Sequence, residues 1–155
     1  MRYEVDLSEA SKFARTPAYG IPVIRAAAAC GPDGGTLGAT NRFLTRDGSP
    51  WIPIAGEMHY SRIAAERVGL AKMAAAGIDV VSTYVFWNHH EEREGEWDFS
   101  GNRNVRRFVE LCARHGLHVI VRLGPFCHGE VRNGGLPDWL YGKSYEVRSL
   151  DAGFL

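Results

Sequence analysis

The chain has 155 residues, of which 45% are hydrophobic and 23% are charged, and this composition is typical of a folded globular domain. The 18 basic and 18 acidic residues cancel. Because no cluster of lysine or arginine is longer than two residues, we expect no nucleic-acid partner. No apolar run approaches the roughly 18 residues of a membrane helix, so we expect no membrane span.

The cysteines and the amino terminus bear on cellular location. Cys30, Cys112 and Cys127 lie far apart and form no C-x-x-C pair, which favours free thiols over a disulfide framework. The first residues lack the basic start and apolar centre of a secretory signal peptide. Both features predict a cytoplasmic location.

Residues 1–40 contain a small, glycine-rich stretch without clear periodicity, so we treat them as a lead segment. The following stretch, residues 42–60, predicts two short strands around a turn at Asp47, Gly48 and Pro50. The chain is therefore divided into a lead segment, 1–40, and a folded region, 41–155.

Two helix-strand units follow this hairpin. The first helix is predicted to end at Gly77 and to be followed by the strand IDVVSTYVFW; the second is predicted to end at Gly116 and to be followed by HVIVRL. Asn102 or Asn104 is suited to cap the second helix. The predicted buried faces are Val68, Ala71, Ala74 and Ala75 in the first helix and Val105, Phe108, Val109 and Cys112 in the second.

Apolar strands that alternate with amphipathic helices predict an α/β fold with a parallel sheet. No G-x-G-x-x-G loop follows either strand, which disfavours a dinucleotide-binding fold and favours a (β/α)8 TIM barrel. A complete barrel needs eight units and about 250 residues. Because only three strands are recognisable, we expect an amino-terminal barrel fragment that exposes sheet edges and barrel-facing surface.

Polar residues follow each of the three strands, at the end where barrel enzymes carry their active sites. The residues are Glu57 and His59 after the first strand, Tyr84, Asn88 and Glu91 after the second, and Cys127 to Glu130 after the third. We therefore expect three strand ends to meet at one rim.

Each of these residues also has a purely structural interpretation. Glu130 either contacts a ligand or accepts hydrogen bonds from the backbone of Gly134 and Gly135, since a carboxylate near a buried strand needs compensation for lost hydration. Tyr84 either contacts a ligand or belongs to the core. Arg62 and Arg122 are expected to form structural ion pairs or to lie in solvent.

Two further ligand classes are considered. A metal site would draw on His59, His89, His90, Glu91 and His128, but adjacent histidines point apart and no H-E-x-x-H spacing exists, so we expect no metal. Tryptophan rings stack well on sugars, yet most tryptophans are core residues. Core packing is the default expectation for Trp51, Trp87, Trp97 and Trp139.

Three segments resemble the start of family 35 glycoside hydrolases, the β-galactosidase family. They are GEMHYSR at 56–62, TYVFWNHHEEREGEWDFSGNRNVRRF at 83–108 and RLGPFCHGEVRNGGLPDWL at 122–140, and the likeness extends over about residues 41–155. The resemblance implies a retaining glycosidase on a (β/α) barrel that cleaves terminal β-galactosyl residues with two glutamates and no cofactor.

The resemblance also implies roles for individual residues. Tyr84 matches a tyrosine that contacts galactose, and Glu130 matches a glutamate that hydrogen-bonds sugar hydroxyls. Cys127, His128 and Gly129 match the positions that approach the sugar just before that glutamate. The triplet Cys-His-Gly differs from the Ile-Cys-Ala-like triplet of many relatives, and Val131 and Glu92 replace a tryptophan and a proline. These departures leave the preferred sugar open.

The catalytic residues of the family are expected outside these 155 residues. In the family the acid/base glutamate follows an asparagine on the fourth strand and the nucleophile lies on the seventh, whereas this chain contains no Asn-Glu dipeptide. We therefore expect the chain by itself to be inactive. The alternatives are a non-catalytic carbohydrate-binding fragment and an interaction protein in which two copies pair.

Overall fold

The computed structural model describes residues 29–31, 34–64 and 69–155. The chain divides into two compact units, Met1–Ile52 and Pro53–Leu155.

The first unit contains a four-stranded antiparallel sheet in the order β1-β2-β3-β4. Its strands are β1 Ala29–Cys30, β2 Thr36–Ala39, β3 Leu44–Arg46 and β4 Ser49–Trp51. The boundary near residue 40 that the sequence suggested thus falls inside this sheet.

The turn between β3 and β4 confirms the predicted hairpin at Asp47 and Gly48, whereas Pro50, which was predicted in the turn, lies in β4 and pairs with Thr45. Asp47 and Gly48 both have positive φ, 49° and 79°, which is the backbone of a two-residue type I′ turn and explains the Asp-Gly pair. The Asp47 carboxylate also accepts a hydrogen bond from the Thr36 backbone N–H at 2.8 Å. The turn is therefore tied to the neighbouring strand as well as to its own hairpin.

The second unit contains a three-stranded parallel sheet in the order β5-β6-β7. Its elements are β5 Ala55–Glu57, α1 Leu70–Ala75, β6 Val80–Tyr84, α2 Trp87–His90, α3 Val105–Arg114 and β7 His118–Arg122, with 3₁₀ turns at Tyr60–Arg62, Gly101–Arg103, Arg132–Gly135 and Asp138–Gly142. The parallel α/β fold is thus confirmed, whereas the closed barrel stays a prediction.

The core of the second unit lies between the sheet and the helices. Its buried residues are Tyr60, Leu70, Val81, Phe108, Cys112 and Leu117. Within the sheet, Val81 of β6 is paired with Val119 of β7, and both contribute to this core. One face of the sheet is therefore covered by helices, and the alternate residues point to the opposite face.

The predicted helix faces are partly wrong. In α1, Ala71 and Ala75 are exposed, because the helix begins at Leu70 and buries Leu70, Met73 and Ala74 at helical spacing instead. Val68 lies outside the described residues. In α3, Val105, Phe108 and Cys112 lie against the core as expected, but Val109 is 37% exposed because it lies at the flank of that narrow stripe.

The helix ends follow the predicted chemistry. Asn104 caps α3, since its side-chain oxygen accepts a hydrogen bond from the Arg107 N–H at 2.8 Å. Gly77 and Gly116 have φ values of 83° and 70° just after α1 and α3, the left-handed conformation that glycine adopts most easily. Within the described ranges, no helix has the length and apolar character needed to cross a bilayer.

The third strand presents apolar surface to solvent, as expected for an incomplete barrel. Ile120 and Val121 of β7 and Leu123 after it are exposed, and β7 is an outer strand of its sheet. An outer strand leaves backbone hydrogen-bonding groups available for another strand. The exposed sheet edge that the sequence predicted is therefore present at β7.

Candidate functional site

The carboxyl ends of the three parallel strands place their polar residues on one face of the sheet. Because side chains alternate along a strand and Val81 and Val119 face the helices, Tyr84 and Arg122 face the other way. The β5–β6 register puts Glu57 on the same side. The ends of the three strands therefore meet at one edge of the sheet, with Glu57, Tyr84 and Arg122 on one face.

Glu57, His59, Tyr84 and Arg122 form what we call the strand-end cluster. One Glu57 oxygen lies 2.8 Å from Nη2 of Arg122, and the other lies 3.0 Å from Nε2 of His59. The Arg122 guanidinium carbon lies 3.6 Å from the centre of the Tyr84 ring, a close cation–π contact. The expectation that Arg122 forms an ion pair is confirmed.

The protonation state of His59 follows from its partners. Its Nδ1 accepts a hydrogen bond from the Tyr84 backbone N–H at 3.3 Å, so in the neutral ring the proton is on Nε2, which donates to Glu57. Burial lowers the pKa of His59, while the neighbouring Glu57 carboxylate raises it. The neutral form is therefore the one that fits this cluster.

Cys127 is a packing residue of the third strand end. It is 2% exposed and forms a small apolar cluster with Tyr84 and Phe86. Burial raises the pKa of its thiol, so the side chain is neutral and poorly suited to act as a nucleophile. Its backbone N–H donates to the Gly134 carbonyl at 2.7 Å.

Gly129 is buried where a side chain has no room. A Cβ at this position would lie 2.9 Å and 3.0 Å from Cε1 and Cζ of Phe86 and 3.4 Å from Cδ2 of Tyr84. Phe86 itself is fully buried and packs edge-on against His59 and His89. The backbone just before Glu130 therefore lies directly against the Tyr84 and Phe86 rings.

Arg62 holds the turn that carries Glu130. Its Nη1 donates to the Gly129 carbonyl at 2.6 Å, and its Nη2 donates to the Glu130 carbonyl at 2.9 Å. Glu130 has a φ of 51°, a left-handed conformation that costs a residue with a Cβ about 1–2 kcal/mol. The two hydrogen bonds from Arg62 help to stabilise this conformation.

The Glu130 side chain is exposed. The structural alternative in which Gly134 donates to that carboxylate is wrong, because the Gly134 N–H donates to the Val131 carbonyl at 3.0 Å. His128 is also exposed and lies edge-on to Phe126, with ring centres 5.1 Å apart. The structure thus groups Tyr84, Cys127 and Gly129 tightly and leaves His128 and Glu130 at the surface.

The sequence analysis did not identify Phe86, and it expected Arg62 to form an ion pair or lie in solvent, whereas Arg62 donates to two backbone carbonyls. Arg62 is part of the GEMHYSR motif and Phe86 follows the second strand, so both lie in segments that were singled out. Neither residue type reveals its partner, since Arg62 and Gly129 are 67 positions apart in sequence. Only the tertiary structure assigns their contacts.

The histidines after the second strand belong to a separate buried network. His90 accepts a hydrogen bond from the Tyr60 hydroxyl at 2.7 Å through Nε2 and donates through Nδ1 to the Asp98 carbonyl at 2.9 Å. Burial raises the pKa of Tyr60 to about 12. His89 Nδ1 lies 3.3 Å from the Ser61 hydroxyl. These side chains are therefore occupied in structural hydrogen bonds.

Glu91 and the tryptophans complete the loop after the second strand. The Glu91 carboxylate accepts a hydrogen bond from the Gly95 N–H at 2.7 Å, and its carbonyl accepts one from Trp139 Nε1 at 3.1 Å. Trp87 packs edge-on against Trp139. Trp97 is 57% exposed and stacks on Phe99, so the core assignment is wrong for Trp97.

Acidification is expected to destabilise the fold, because burial lowers the pKa values of His59, His89 and His90 from the ordinary value of 6.5. The unfolded chain then takes up protons at a higher pH than the folded chain does. The stability from these residues is fully present above pH 6.5 and is lost as the pH falls through the lower folded-state pKa values.

Urea unfolding followed by circular dichroism between pH 8 and pH 5 measures this loss. A His90→Gln variant should show a shallower decline of the free energy of unfolding with falling pH. The control His115→Gln removes an exposed histidine and should leave the decline as it is. An unchanged decline in His90→Gln would contradict the assignment of acid sensitivity to this network.

Comparison with known proteins agrees with the motifs at these strand ends. The profile of Glycosyl hydrolases family 35 matches residues 43–155. The β-galactosidase of Xanthomonas manihotis is 44% identical over 133 residues, covering 84% of this chain and 22% of that protein. The dog β-galactosidase (Canis lupus familiaris) is 44% identical over 118 residues, covering 74% and 18%.

Other similar proteins are named for activity on different sugars. The exo-β-D-glucosaminidase of Thermococcus kodakarensis is 42% identical over 107 residues, covering 65% of this chain and 14% of that protein. Among solved structures, an exo-β-1,4-mannosidase from Opitutaceae bacterium strain TAV5 has a TM-score of 0.46 at 19% identity, covering 72% of this chain and 19% of that chain. This superposition is too loose to define the fold.

The chain spans about a fifth of the length of the curated relatives it matches. The profile match covers most of the chain, and the resemblance of the three strand-end motifs is confirmed by it. The chain therefore belongs to glycosyl hydrolase family 35, a glycoside hydrolase family that includes β-galactosidases.

Proposed function

We propose that the chain forms the sugar-binding wall of a retaining β-galactosidase-like hydrolase, which cleaves terminal β-galactosyl residues from carbohydrates. The observation that carries this proposal is the packing of the Gly129–Glu130 turn against Tyr84. Because of that packing, the loop that follows β7 and carries Glu130 lies against Tyr84 at the end of β6. The similarity to β-galactosidases supports the choice of sugar.

The chemistry of the proposed contacts is simple. The Glu130 carboxylate is exposed and, when ionised, can accept hydrogen bonds from two neighbouring sugar hydroxyls. Tyr84 is 7% exposed and packs against Gly129, the residue before Glu130, and it has an aromatic ring with a polar end. Such contacts orient a sugar ring before its bond is cleaved. Cys127, His128 and Gly129 shape the approach to Glu130 in this proposal.

Bond cleavage requires two further carboxylates. A retaining glycosidase uses an acid/base and a nucleophile about 5–5.5 Å apart. Glu57 is occupied by Arg122 and His59, Glu91 by the loop that surrounds it, and the 155 residues contain no Asn-Glu dipeptide. We therefore assign the catalytic pair to the portion of the relatives that this chain does not span.

A binding experiment on the purified 155-residue chain tests the sugar site. Methyl β-galactoside is titrated into ¹⁵N-labelled protein and followed by NMR, with methyl β-glucosaminide as the competing sugar. We expect the galactoside to shift the amide signals of Tyr84, Gly129 and Glu130. Glu130→Gln should weaken binding about tenfold or more, because a hydrogen bond to a charged group contributes roughly 1.5–3 kcal/mol.

The control variant is Glu110→Gln, which changes an exposed carboxylate on α3 and should bind like the unchanged chain. Hydrolysis of an aryl β-galactoside by the same sample is expected to stay at the uncatalysed rate. Absence of any shift with the galactoside, or equal affinity of Glu130→Gln, would overturn the proposed site. Stronger binding of the glucosaminide would retain the site and replace the sugar.

A further inference from the structure

Glu57 contacts both of the groups that hold Tyr84. Through Oε2 it attracts Arg122, whose guanidinium lies on the Tyr84 ring. Through Oε1 it accepts the Nε2 proton of His59, which leaves Nδ1 to accept the backbone N–H of Tyr84. One carboxylate on β5 is thus linked to the ring and to the backbone of a residue on β6.

Arg122 depends on Glu57 for its position. Its Nε and Nη2 atoms are shielded from solvent and have no aligned hydrogen bond within the described part of the chain, so the attraction to Glu57 is that of opposite charges 2.8 Å apart. The Arg122 side chain as a whole is 32% exposed. Without the charge on Glu57, the guanidinium would gain hydration by turning away from the Tyr84 ring.

We propose that Glu57 is a positioning residue of the sugar site: it holds Arg122 flat against Tyr84 and thereby sets the orientation of the Tyr84 ring toward the sugar. This inference rests on the proposed function for the role of Tyr84. A purely structural ion pair is the competing interpretation. Glu57 is 50% exposed, so a structural ion pair at this position would contribute little to stability. The two interpretations are distinguished by whether loss of the Glu57 charge changes the contact between Arg122 and Tyr84.

The variant Glu57→Gln distinguishes the contact of Glu57 with Arg122 from its contact with His59. Glutamine has nearly the same shape, and its amide oxygen can still accept the His59 proton, but it no longer attracts Arg122. The first readout is the ring-current shift of the Arg122 side-chain NMR signals, with Tyr84→Leu defining the value without the ring. The second is the affinity for methyl β-galactoside, and the third is the midpoint of urea unfolding.

We expect the ring-current shift to be present in the unchanged chain and lost in Glu57→Gln. The galactoside affinity should fall about two- to fivefold, the size of a partly exposed cation–π contact, while the unfolding midpoint stays nearly constant. Arg122→Lys serves as the second variant, because lysine keeps the charge but lacks the flat guanidinium. Arg122→Lys should reduce the affinity for methyl β-galactoside to a similar extent.

Glu94→Gln is a closely matched control. Glu94 pairs with Lys143 at 2.6 Å with similar exposure, 57% and 30%, and Lys143 lies near the Trp139 ring. This variant should leave Arg122, Tyr84 and sugar binding unchanged.

A retained ring-current shift in Glu57→Gln would overturn the proposal, as would equal galactoside affinity in Glu57→Gln and the unchanged chain. If the unchanged chain binds no galactoside, the proposed function fails. The ring-current measurement still decides whether Glu57 positions Arg122 on Tyr84, because it needs no sugar.

Discussion

Replacing Arg62 with methionine should both destabilise the second unit and weaken sugar binding. The change removes the two hydrogen bonds that Arg62 donates to the Gly129 and Glu130 carbonyls. Gly129 is buried, so its carbonyl would lose its donor without gaining full hydration. We expect a loss of about 1.5–3 kcal/mol in the free energy of unfolding, the usual size for hydrogen bonds that involve a charged group.

The effect on binding follows from the backbone of Glu130. Its left-handed conformation, φ 51°, is unfavourable for a glutamate, and without Arg62 the turn would relax toward other conformations. The Glu130 carboxylate would then no longer be held in one position. We expect the galactoside affinity to fall about tenfold, because a misplaced binding group loses most of its contribution.

Urea unfolding and the galactoside titration measure the two effects. Arg132→Met is the control, because Arg132 is an exposed arginine whose ion pair with Asp138 spans 2.6 Å, and exposed pairs of this kind contribute at most about 1 kcal/mol. Stability and affinity equal to those of the unchanged chain in Arg62→Met would show that Arg62 does not hold the Glu130 turn.

The substitution Gly129→Ala should be strongly destabilising for a different reason. The added methyl group would lie 2.9 Å and 3.0 Å from two carbons of Phe86, closer than carbon atoms pack. Phe86 is fully buried between His59 and His89 and cannot move without displacing them. We expect a loss of about 1–3 kcal/mol, typical of an overpacked core.

A second substitution tests whether the clash with Phe86 causes this loss of stability. Phe86→Leu removes the ring atoms that clash, so the double variant should be less destabilised than the sum of the two single changes. Gly142→Ala is the control, since a Cβ there meets no atom within 4 Å. Additive effects of the two changes, measured by urea unfolding, would contradict a direct clash between residues 86 and 129.

The contact between Phe86 and Gly129 gives a physical reason for one departure from the family pattern. The triplet before Glu130 is Cys-His-Gly in this chain, and the glycine is needed because Phe86 occupies the space that a Cβ would take. The two positions therefore constrain one another. The glycine at position 129 is therefore explained by packing against Phe86 and gives no information about the preferred sugar.

The local sequence determined the elements of this fold and the strand ends that carry its polar residues. The Asp-Gly pair specified the hairpin turn, Asn104 and Gly116 specified the limits of α3, and two apolar runs specified strands β6 and β7. These features depend on backbone preferences within a few residues, which sequence reasoning can assess directly. The motifs also identified the family, because they hold several chemically unusual residues in a fixed order.

Only the tertiary structure decided which side chains meet. The contacts of Arg62 with Gly129, of Phe86 with Gly129 and of Glu57 with Arg122 join residues on different strands and loops. The exposure of Val109 and Trp97 likewise depends on what packs beside them. Charge, size and periodicity show that a residue can form such contacts, but the partner is chosen by chain topology and by the space that neighbouring side chains leave.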